Sequence, residues 1–132
     1  MQYRLILLIS ILFVSIGVIP CAADTGLNLR HALIAEDVEM SRPVRPAVIF
    51  PVSVGRIVCF SSFDSIRNDT AIYHVWYYRD KLVSKKKLVL KAPQWSTYSI
   101  VELRANDKGP WRVEIRDTNE MLLKTLRFSI TE

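Results

Sequence analysis

"YHVWYY", residues Tyr73 to Tyr78, places four aromatic rings and a histidine in six consecutive positions. In an extended chain successive side chains point to opposite faces, so Tyr73, Val75 and Tyr77 share one face and His74, Trp76 and Tyr78 the other. Only one face can meet a core. Trp76 is the largest side chain, and a buried Trp on a central strand is typical of a β-sandwich. The pattern therefore predicts Trp76 inside, with His74 and Tyr78 on the same face towards the ends of the sheet. A half-buried His74 needs a hydrogen-bond partner, and desolvation favours its neutral form. Tyr73 and Tyr77 are left outward, about 6.6–6.8 Å apart from the rise of a strand.

Strand logic extends on both sides. Apolar runs punctuated by turn residues recur as "LRHALIAEDVE", "AVIFPV", "RIVCFSSF", "AIYHVWYY", "KLVSKKKLVLK", "WSTYSIVEL", "WRVEIRD" and "LLKTLRFSI". In "WRVEIRD" Trp111, Val113 and Ile115 oppose Arg112, Glu114 and Arg116; in the last run Leu126, Phe128 and Ile130 oppose Thr125, Arg127 and Ser129. One buried and one wet face per strand is the mark of an antiparallel sheet. "RDK", "KAPQ", "ANDKGP" and "DTNE" supply the turns. Only "HALIAEDVEM" has a composition in which a helix competes, and Pro43 and Pro46 just beyond it favour a strand. The expectation is a single all-β domain, an antiparallel, immunoglobulin-like β-sandwich of about seven strands.

The first 23 residues are expected to lie outside that domain. A positive start at Arg4, an apolar run from Leu5 to Ile19 and the small residues Cys21, Ala22 and Ala23 have the order of a signal peptide. The domain would then span residues 24–132. An uncleaved anchor is the alternative, although the run is shorter than the roughly 20 residues of a membrane span. Lipidation at Cys21 is another, with Pro20 standing where such sites carry a small residue.

The chain has 18 basic and 13 acidic residues. That excess suits anionic surroundings such as an envelope, and its scatter argues against nucleic acid. Beyond Cys21 the only cysteine is Cys59, so the domain has no internal disulfide. Cys59 sits among apolar residues and reads as a buried, inert thiol.

"HVWYYRDK", "QWSTYS", "GPWRVEIRDTNEMLL" and the closing "FSI" resemble the bacterial family called domain of unknown function 2914. The matching positions are His74, Trp76, Tyr78, Trp95, Ser99, Gly109, Trp111 and Val113. Upstream, "RHALIAEDVEMSRPV" is similar to that family's opening strand and its turn at Arg42 and Pro43. Ser96 and the polar "SFDSIRNDTA" depart from the pattern. The resemblance implies a β-sandwich in exported or membrane-attached bacterial proteins, with these residues as motif and core, and it implies no activity.

Catalysis has little to stand on. His31 and His74 are the only histidines, and no nucleophile elbow, HExxH or phosphate-binding loop accompanies them. Two distant histidines and one cysteine lack metal-ligand spacing, and no cofactor is expected. The remaining candidate surface is Tyr73 and Tyr77, with Lys85, Lys86 and Lys87 on the return strand. Two outward rings suit a sugar, a peptide or a partner's apolar patch; equally, they shield the strand while the lysines protect a sheet edge. The functional expectation is an exported, periplasmic, non-catalytic binding or structural module of the cell envelope that contacts another protein. The alternative is an envelope-glycan binder using Tyr73, Tyr77, Lys85 and Lys87, and an uncharacterised enzyme comes third.

Overall fold

The structure, a computed structural model, describes residues 26–132. The expected signal segment lies outside the described residues. Nine strands follow in order: β1 (Asn28–Glu39), β2 (Arg42–Pro46), β3 (Ile49–Pro51), β4 (Arg56–Asp64), β5 (Thr70–Tyr78), β6 (Lys81–Leu90), β7 (Trp95–Glu102), β8 (Gly109–Asp117) and β9 (Leu122–Thr131). They form a four-stranded sheet, β2-β1-β4-β7, and a five-stranded sheet, β3-β9-β8-β5-β6.

The all-β sandwich expected from alternation is what the chain forms, with two corrections. The described residues form nine strands rather than about seven: "RPVRP" adds the short edge strand β2, and "AVIFPV" forms the three-residue edge strand β3. The sheets are not wholly antiparallel either. β3 runs parallel to β9, pairing Ile49 with Ser129 and Pro51 with Thr131. Alternation within a strand reports which face is buried but carries no information on strand direction.

The strand order is that of an immunoglobulin-type sandwich. β1, β4 and β7 occupy the places of strands A, B and E, facing β5, β8 and β9 at C, F and G. In that fold a disulfide joins B to F beside a Trp on C. Here Cys59 of β4, Val113 of β8 and Trp76 of β5 lie in one buried cluster with Ile34, Phe50 and Ile57. Cys59 is a buried free thiol with no second cysteine among the described residues, so packing holds the sheets without a bridge. Trp76 and Phe128 meet edge to face with ring centroids 6.2 Å apart, a favoured aromatic geometry. A second cluster, Phe63, Ile66, Ile72, Leu90 and Ile115, fills the other end.

Between β5 and β6, Arg79 and Asp80 both adopt positive φ, 47° and 63°. That is the two-residue turn whose twist matches that of the flanking strands.

Candidate functional site

The register of β5 fixes the surroundings of both tyrosines. On the outward face Tyr73 lies between Lys87 of β6 and Arg116 of β8, and Val75 between Lys85 and Glu114. Tyr77 lies between Leu82 and Arg112. Neither tyrosine stands free: both are half-buried. Lys85 Nζ sits 4.5 Å from the centroid of Tyr73, and Arg112 Cζ sits 4.0 Å from that of Tyr77. Cations over aromatic faces are held by the ring quadrupole.

The same cations are tied into a surface network. Lys85 Nζ donates to Glu120 at 2.6 Å, Arg112 bonds Asp80, and Arg116 Nη2 donates to Glu114 Oε2 at 2.9 Å. Glu114 is itself buried to 9 % exposure beneath them. Lys87 is exposed opposite Tyr73 and makes none of these bonds. Each ring therefore already has a cation on one face.

The inward face of β5 carries a buried polar bridge. His74 is fully buried, not half-buried near a sheet end as its sequence position suggested. Its Nε2 lies 2.9 Å from Ser61 Oγ of β4, and its Nδ1 lies 2.7 Å from Ser99 Oγ of β7. Trp76 Nε1 donates to the same Ser99 Oγ at 3.0 Å. Cys59 Sγ is 4.0 Å from Nε2.

Ser99 accepts from the indole and has one hydroxyl hydrogen left to give to Nδ1. With that hydrogen donated to Nδ1 the ring proton is on Nε2 and goes to Ser61; with an Nδ1 proton given to the second lone pair of Ser99, Ser61 donates to Nε2, so either neutral tautomer is satisfied. Burial pushes the His74 pKa down from 6.5 to about 4 and pushes the Cys59 thiol up. A neutral imidazole and a protonated thiol, both shut off from solvent, make a structural link between the sheets.

Tyr78, on the same strand face, behaves differently. Its ring packs on Trp111 with centroids 4.9 Å apart, and its hydroxyl donates to the carbonyls of Asn106 and Lys108 at 2.9 and 2.6 Å. It pins the β7–β8 connection to the end of β5. Beside it Gly109 has φ +122°, and a Cβ there would lie 2.8 Å from Arg79 Nη2. The guanidinium can swing away from such a Cβ, so it is the backbone at φ +122° that calls for glycine here.

Trp95 requires a correction. Expected among the core residues, it is 41 % exposed at the start of β7. It follows the chain break at "KAPQ", where β7 has only just entered the sheet, so half of its ring overhangs the sandwich. Tyr98, three residues on, is 48 % exposed. Trp111 and Val113, by contrast, are buried, at 4 % and 0 %.

The other histidine, His31, is exposed and shares a cross-strand row with Ser62 and Ser96. Ser62 Oγ has no hydrogen-bond partner among the described residues, so the two do not form a nucleophile–base pair. Among the described residues no three His, Cys, Asp or Glu side chains cluster to hold a metal.

Residues 69–130 match the model of a family described as a protein of unknown function, DUF2914. The match runs from the residue before β5 to the end of β9. It includes His74, Trp76, Tyr78, Trp95, Ser99, Gly109, Trp111 and Val113, so the resemblance read from these residues holds over this stretch. β1 to β4 lie outside it, and with them Arg42, Pro43 and Ser61. No curated protein matches the chain.

Two participants had escaped the sequence reading. Ser61 is an ordinary serine between apolar neighbours; only its inward parity with Cys59 marks it. Arg112 caps Tyr77 because of cross-strand register, which a single sequence does not display; Lys85, already a candidate beside the tyrosines, caps Tyr73.

Proposed function

We propose that the chain is an exported, non-catalytic β-sandwich module of the cell envelope that works by binding another protein. The observation that carries this reading is Tyr98, 48 % exposed on the outward face of β7, with Trp95 half-exposed on the opposite face at the start of the same strand. Partly exposed Trp and Tyr with a free polar tip are the side chains most often used as anchors at protein interfaces. The candidate chemical groups elsewhere serve structure: His74 is neutral and enclosed, and Cys59 is enclosed with it. The glycan alternative on Tyr73 and Tyr77 has less support, since Arg112 and Lys85 cover one face of each ring and stacking a sugar there would displace them.

The test compares two double variants of the tagged chain for retention of envelope proteins and of cell-wall glycan. Trp95→Ala with Tyr98→Ala is expected to lower protein retention and leave the melting temperature nearly unchanged. Tyr73→Ala with Tyr77→Ala is expected to lower stability and leave retention intact. Loss of glycan retention in the tyrosine pair alone would reverse the assignment.

A further inference from the structure

Each of the two sheets has two edges, and an unpaired edge strand is a template for another chain unless something blocks it. Three of the four edges carry a block. β2 reads "RPVRP", with two prolines and two arginines in five residues. β3 is three residues long and ends in Pro51. β6 carries Lys81, Lys85, Lys86 and Lys87, and its pairing with β5 is broken by a register shift.

β7 has none of these devices. "WSTYSIVE" is eight residues without proline, lysine or arginine, its sole charge is Glu102 at the end, and its register with β4 is unbroken. Among the described residues no strand pairs with its second edge. Trp95 and Tyr98, half-exposed on opposite faces of this strand, flank that edge.

We infer that β7 is a docking edge, and that its occupant is β7 of a second copy, paired antiparallel about a two-fold axis at Tyr98. The inference rests on the protein-binding reading above and names the partner. A strand whose one charge, Glu102, lies at its end meets no like charge across the axis when paired with itself. With Tyr98 opposite Tyr98 of the second copy, Trp95 falls opposite Val101 and Gln94 opposite Glu102, so the overhanging indole gains an apolar neighbour and the lone carboxylate an amide. The row Leu33–Phe60–Tyr98, in register across β1, β4 and β7, then continues through the axis into the same row of the second copy. The result is one eight-stranded sheet, isologous as a two-fold interface must be.

Sedimentation velocity of the full-length chain tests this. The unaltered chain is expected to dimerise. Tyr98→Lys, which sets two ammonium groups against each other at the axis, is expected to weaken the dimer at least about tenfold, and Tyr98→Glu likewise. Mixing the two variants should restore it, an outcome that misfolding cannot produce. In cells, Tyr98→Cys in a Cys21→Ser background should give a disulfide-linked dimer on a non-reducing gel, whereas Lys87→Cys on β6 should not. A chain that stays monomeric, or a dimer indifferent to both Tyr98 charges, overturns the inference. If such a monomer still retains envelope proteins through Trp95 and Tyr98, the protein-binding reading stands and only the identity of the partner falls.

Discussion

His74 shows how a single residue ties stability to pH. Its ordinary pKa of 6.5 falls to about 4 in the folded chain because burial penalises the charged ring. The unfolded state therefore binds the extra proton first. The stability contributed by the neutral ring is complete above pH 6.5 and is lost progressively as pH falls towards 4, then levels off below it. The two values correspond to roughly 3 kcal/mol. His74→Gln keeps a hydrogen-bonding side chain between Ser61 and Ser99 without that titration. In urea unfolding between pH 7 and 4, the unaltered protein is expected to lose about that much more stability than the variant. Parallel losses in the two would show that other groups govern the acid limb.

At the scale of elements, the β5–β6 turn and the β7–β8 connection are locked together by Arg79, Tyr78 and Gly109. Arg79 Nη2 donates to the Lys108 carbonyl at 3.2 Å, and its backbone N–H donates to Pro110 at 3.1 Å. Gly109→Ala sets a Cβ against the guanidinium and forces a φ that L-residues avoid. It is expected to cost about 1–2 kcal/mol in thermal unfolding. Adding Arg79→Ala should recover little of that cost, because the backbone strain remains; full recovery would assign the cost to the clash alone. The same elements show what a sequence discloses. The faces of β5, β8 and β9 were legible because alternation is a local property. The burial of His74, the exposure of Trp95 and the cations over Tyr73 and Tyr77 were not, since each depends on which strand lies alongside and where the sheet ends. The parallel β3 was hidden for the same reason.

For the whole molecule, the lysines of β6 and the neutrality of β7 set where other chains can pair. Lys85, Lys86 and Lys87 occupy consecutive positions of an edge strand. Replacing all three by Thr would leave an edge of high β-propensity with Lys81 at its start as the sole charge. The variant is expected to fold but to aggregate on concentration, as read by light scattering, at salt where the unaltered protein stays clear. Equal scattering from both would show that the lysines are not what protects that edge.

The pairing of β3 with β9 also sets a timetable. Residues 49–51 find their partner only at residues 129–131, so the five-stranded sheet cannot add its β3 edge until β9 has left the ribosome. The earlier strands can collapse first, but the finished sandwich forms only once β9 is present, with long-range contacts made late. A sandwich whose third strand waits for its ninth stays open and pliable until that ninth strand has been made.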